Sequence, residues 1–160
     1  MTAGRFERVS RKQYDLDRKN FETGMPLEQI SLPVRATAGS AGYDMVCPVD
    51  VEIGPGQRVV VPTGIRVQVR EGYFLMLCPR SSMGRKYGLR LSNTLGIVDS
   101  DYYGAENEGH ILLTLEHTQP GPVQIRAGER ICQAIFVPFG LAEDDHASSI
   151  RQGGYGSTGV

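Results

Sequence analysis

The spacing of glycine and proline constrains this chain more than any other feature. Twenty glycines and nine prolines are spread through 160 residues, so only short runs lie between them. No stretch of a dozen residues carries a helical apolar stripe. The runs read instead as strands. VDVEI (49–53) alternates apolar and acidic residues, and a GPG turn leads into QRVVVP. GIRVQV, GYFLMLCP, HILLTLEH, VQI and, after the AGE turn, RICQAIFVPF follow. Short strands at such regular spacing predict an all-β domain, closed or sandwiched, with little helix. Residues 1–30 are expected to form a first strand near Phe6–Val9 and then a polar connector, ahead of a β-domain over 31–148.

Composition narrows the function classes. A net charge of −1 argues against general affinity for nucleic acid or an anionic membrane. The first twenty residues are charged throughout and lack the apolar core of a signal peptide, which predicts a cytoplasmic protein. Cys47, Cys78 and Cys132 sit far apart among apolar neighbours and read as buried free thiols. His110 and His117 lack a cysteine or glutamate at ligand spacing, so no dedicated transition-metal site is expected.

Five stretches punctuate the strands. AGSAGYDM (38–45) places Asp44 in a glycine-rich turn, where it bonds local backbone or faces a metal or phosphate. PRSSMGRKYGL (79–89) puts Arg80, Ser81 and Ser82 at a strand end, either as a solvated turn or N-cap or as a phosphate site. NTLGIVDSDYYG (93–104) runs from apolar Ile97 and Val98 straight into Asp99. A carboxylate directly after a buried β pair would sit at the mouth of the core and could take a proton from water. Asn93 offers a donor and an acceptor, which suits an imide edge, and Tyr102 would make a wall. GERICQ (128–133) sets polar Gln133 in an apolar strand, satisfied by backbone or lining a site. RQGGYGSTGV (151–160) is either a frayed end or a cover for something flat and anionic.

Taken in order, these stretches resemble the five motifs of the homotrimeric all-β dUTPases, from about residue 31 to the last. The resemblance implies a distorted jelly-roll β-barrel, a homotrimer with sites shared between subunits, and Mg²⁺. It implies hydrolysis of dUTP to dUMP and pyrophosphate, which limits uracil in DNA and supplies dUMP for dTMP synthesis. Carried over by position, Asp99 matches the carboxylate that activates water at the α-phosphorus. Asn93 reads the uracil edge with backbone of the 93–99 hairpin, Gly96 and Val98 among it, and Tyr102 lies under the deoxyribose. Arg80, Ser81, Ser82 and Gln133 match phosphate-site residues, and Asp44 a carboxylate tied to the metal through water. Residues 149–160 match a mobile lid: Tyr155 covers the uracil, Ser157 and Thr158 meet the phosphates, and Gly156 is among the substrate-binding positions. Arg151 matches the tail arginine of the γ-phosphate, but stands one residue closer to the aromatic than is usual. The segment AENEG (105–109) is an insertion relative to the family pattern.

Two other readings share parts of this pattern. A dCTP deaminase would need a glutamate facing the pyrimidine, and Glu116 falls outside that register. A nucleotide sensor that only binds a protein partner would not need Asp99.

Overall fold

A computed structural model describes residues 2–149, 151 and 153. Apolar alternation and turn glycines place the strands close to where the sequence predicts them. They are β1 (Gly4–Arg8), β2 (Val34–Arg35), β3 (Tyr43–Val46), β4 (Val51–Ile53), β5 (Arg58–Pro62) and β6 (Ile65–Val69). Then come β7 (Tyr73–Pro79), β8 (Leu89–Leu91), β9 (Gly96–Val98), β10 (Leu112–His117), β11 (Val123–Ile125) and β12 (Arg130–Pro138).

The largest sheet has the order β2-β3-β12-β7-β9. Antiparallel pairing within it sets Gln133 opposite both Asp44 and Cys78, and Leu77 opposite both Ala134 and Gly96. A second sheet, β5-β10-β8, and two ribbons, β1-β6 and β11-β4, complete a distorted barrel of jelly-roll type. The inward faces meet in one core, in which Leu75, Leu115, Ile125 and Ile131 are almost wholly buried. Their transfer from water is the main term holding the barrel closed.

Two segments depart from the sequence reading. The polar connector after β1 contains helix α1 (Arg11–Asp17) and a 3₁₀ turn at Leu27–Gln29. Ser10 caps α1, its hydroxyl accepting from the Gln13 amide at 3.1 Å. The helix turns Tyr14 into the core, and Ile30 is buried beyond it. The PRSSMGRKYGL stretch is also a helix, α2 (Ser81–Tyr87), ended by Gly88 in the left-handed conformation at φ 61°. Neither helix is long and apolar enough to cross a membrane.

Candidate active site

The NTLGIVDSDYYG stretch builds one wall of a cleft of about 280 Å³. Asn93 and Thr94 form a tight turn after β8, with Thr94 held in the left-handed region at φ 66°. The chain then enters β9, which pairs with β7 while β8 pairs with β10, so residues 93–99 link two sheets and do not form the hairpin expected from the sequence. Val98 is buried, but Ile97 is 55% exposed, so the apolar pair before Asp99 is not the buried pair that the sequence suggested. Alternation along a strand turns one of any two neighbours outward. Asp99 then caps a 3₁₀ turn at Ser100–Gly104, its carbonyl accepting from the Tyr102 amide at 3.2 Å. Asn93, Gly96, Val98, Asp99 and Tyr102 all line the cleft, as the sequence grouped them. The opposite wall is β10 and the residue before it, through Ile111, Leu113 and Thr114, a contribution the sequence reading missed. Thr114 is polar in an apolar strand, the signal already used for Gln133.

Arg151 also enters this cleft. Its Nη2 donates to Asp99 Oδ2 and its Nε to Asp101 Oδ1, both at 2.9 Å. Its guanidinium carbon stands 5.6 Å from the centre of the Tyr102 ring. The second acid of DSD, given no role from sequence, thus shares the arginine with the first. Tyr155, Gly156, Ser157 and Thr158 lie outside the described residues.

The predicted phosphate residues gather elsewhere. Asp44 accepts from Arg80 Nε at 2.9 Å and from Arg130 Nη1 at 3.1 Å. Gln133 lies in register with Asp44, and its amide fits against Gly42, where a larger residue would collide with it. Ser81 and Ser82 open α2 directly after Arg80, where helix N–H groups lack intrahelical partners. Arg130 was not singled out from sequence, although it stands at the head of the strand that carries Gln133.

Strand register separates the two groups. Residues opposite one another across an antiparallel pair share a face, and neighbours along a strand alternate. Asp44, Gln133 and Cys78 therefore occupy one face of the sheet, and Ala134, Leu77 and Gly96 the other. Of these, Leu77 and Gly96 line the cleft.

Comparison with known proteins gives this geometry a context. Residues 28–159 match the dUTPase family. This chain belongs to the dUTPase family. The deoxyuridine 5'-triphosphate nucleotidohydrolase of Lactococcus lactis subsp. lactis is 40% identical over 134 residues, covering 82% of this chain and 89% of the relative. That of Cutibacterium acnes is 40% identical over 136 residues, covering 81% and 86%. The crystal structure of the dUTPase from Streptococcus mutans superposes with a TM-score of 0.71 at 37% identity, covering 86% of this chain and 98% of that one. The dUTPase match leaves residues 1–27, and α1 with them, outside it.

The remaining chemistry suits a dUTPase. Glu116 is occupied by Arg58 and Arg90 and accepts from the Ser92 hydroxyl, and its hydrogen bond from Arg90 holds its carboxyl below the usual range. It is absent from the cleft lining, which holds no glutamate. Burial pushes the thiols of Cys47 and Cys132 up to about 12, so neither is a nucleophile at neutral pH.

Proposed function

We propose that this dUTPase hydrolyses dUTP with the base in the Asn93–Tyr102 cleft and Asp99 activating the attacking water. The observation that carries the reading is that Asp99 lines the same cleft as the Asn93 amide and the Tyr102 ring. Asn93 and the backbone of residues 93–99 meet the uracil edge, and Tyr102 lies under the sugar. A water held by Asp99 attacks the α-phosphorus and gives its proton to the carboxylate. The new P–O bond leaves dUMP, and the bond from the α-phosphorus to the bridging oxygen breaks to release pyrophosphate. Arg151 donates to Asp99 Oδ2. Oδ1 has no hydrogen bond among the described residues, so a proton-accepting oxygen remains.

The triphosphate needs charge neutralisation before attack. Arg80, Ser81, Ser82 and Gln133 supply part of it. Mg²⁺ would supply further charge neutralisation and polarise the triphosphate, with Asp44 the residue that would meet it through water. Among the described residues no group of three or more histidine, cysteine or acidic side chains could hold a metal directly. Asp44 is already engaged by two arginines. The donor set fits a cation carried by the substrate, with Asp44 reaching it through water.

Asp44 and Gln133 lie on the face of the sheet opposite the cleft-lining Leu77 and Gly96, which favours a triphosphate reached by two different chains. Sites shared between subunits of a homotrimer provide this, with exposed apolar residues such as Leu95 and Ile97 available for contact between subunits. Residues 152–160, with Tyr155, Gly156, Ser157 and Thr158, would close over the nucleotide. The product pair fits a cytoplasmic role in keeping uracil out of DNA while supplying dUMP. Hydrolysis in ¹⁸O-water tests the chemistry. The label should enter dUMP and not pyrophosphate. Label in pyrophosphate would mean attack at the β-phosphorus and would remove Asp99 from its assigned place.

A further inference from the structure

The insertion 105–109 and the N-terminal helix, neither given a role from sequence, meet directly behind Tyr102. The Tyr102 hydroxyl donates to the His110 carbonyl at 2.9 Å and accepts from Asn107 Nδ2 at 2.8 Å. Asn107 is itself fixed, its Oδ1 accepting from the Gly109 amide at 3.2 Å. Gly109 has φ 69° and packs so tightly that a Cβ there would stand 2.7 Å from the Tyr102 carbonyl oxygen. Only glycine lets the insertion approach the turn this closely.

The same segment grips α1 at both ends. At the start, Glu108 accepts from the Ser10 amide at 2.8 Å and from its hydroxyl at 2.6 Å. Glu108 holds a left-handed φ of 59°, uncommon for a residue with a side chain, and these bonds offset its cost. At the end, the wholly buried His110 ring meets Asp17, with Nδ1 2.5 Å from Oδ2. His110 Nε2 accepts from the Gly64 amide at 2.8 Å, which assigns the ring proton to Nδ1 and makes Asp17 its acceptor. Burial pushes the His110 pKa down, consistent with a neutral ring.

We propose that α1 and residues 105–110 form a brace that fixes the Tyr102 ring, and that Asn107, His110 and Asp17 are positioning residues for selecting deoxyribose over ribose. The proposal rests on the reading of Tyr102 as the wall under the sugar. Exclusion by contact works only if the wall cannot retreat when a 2′-hydroxyl presses on it. Tyr102 is held at its hydroxyl by two partners, and one of them, His110, is tied to Asp17 on a helix that is anchored at both ends.

The test is the ratio of kcat/KM for dUTP to that for UTP, measured in purified variants. Asn107→Ala should lower the ratio about fivefold, the worth of one hydrogen bond. In a Tyr102→Phe background, which lacks the hydroxyl, Asn107→Ala should lower the ratio no further. Asp17→Ala should lower it in the wild-type background. Asp17→Asn, which still accepts the Nδ1 proton, should keep it. If Asp17→Ala does not fold, the cycle at the partly buried Asn107 still decides. An unchanged ratio in Asn107→Ala, or an equal loss with and without the Tyr102 hydroxyl, overturns the brace. Tyr102→Ala is the control: if it too leaves the ratio unchanged, the wall reading fails and the brace with it. If it narrows the ratio while the brace variants do not, only the brace fails.

Discussion

Asp99→Asn separates catalysis from folding more cleanly than any other single change. The substitution keeps the shape of the side chain and one acceptor oxygen, but the amide cannot take a proton from water. A positioned general base contributes about 10²–10⁴-fold, so kcat should fall by at least roughly 10², or about 2.7 kcal/mol of barrier. The structural cost is much smaller. Asp99 and Asp101 share Arg151, and their side chains are 52% and 51% exposed. Ion pairs so open to water are worth about 0–1 kcal/mol, and Asp101 remains to hold the arginine. For a chain of this length that corresponds to a Tm change below about 4 °C. Asp99 makes no contact assigned to binding, so KM for dUTP should move little. Pyrophosphate release under saturating and limiting dUTP, beside thermal melts of the same preparations, measures all three quantities. Turnover near the wild-type rate would refute the assignment of Asp99. A loss of activity matched by a large loss of Tm would instead assign Asp99 to structure.

Three further outcomes follow from the fold and the shared site. Gly64 has φ 73°, and a Cβ there would lie 2.6 Å from Ile30 Cδ1, so Gly64→Ala should cost roughly 2–5 kcal/mol in denaturant unfolding; a midpoint equal to wild type would contradict this packing. Burial holds the His110 pKa below its ordinary 6.5, so the unfolded chain binds the extra proton first. This contribution is complete above pH 6.5 and is lost as pH falls from there through the lowered folded value; His110→Gln should flatten that part of the stability–pH profile, and an unchanged profile would exclude it. Finally, equal amounts of Asp99→Asn and of a chain lacking 152–160, unfolded and refolded together, should regain about one quarter of the sites if base and lid come from different subunits. Silence of that mixture, while wild type recovers fully, would reject the shared site.

The barrel was readable because strand alternation is a local signal. Alternation in VDVEI and turns such as GPG located most strands, though β4 begins only at Val51. Asp99, Asn93 and Tyr102 were readable because one short stretch of the chain, 93–104, carries all three. Helix α1 was not, because seven residues with a single buried side chain, Tyr14, are too few to show a stripe. The grip of Glu108 on Ser10 joins positions 98 apart, and no periodicity records such a pairing. Arg130 was passed over for a similar reason: its contact with Asp44 depends on the register of β12 against β3, which the sequence does not display.

The brace also constrains how this chain can diverge. Its two halves lie more than ninety residues apart in the chain, yet each supplies the polar partners that the other requires. A lineage that lost α1 would strand the buried imidazole of His110 without an acceptor and leave Glu108 in a costly backbone conformation with nothing to hold. One that lost the insertion would free the amide and hydroxyl of Ser10. Helix and insertion are therefore expected to appear and disappear together among related sequences, as one heritable module split across the chain.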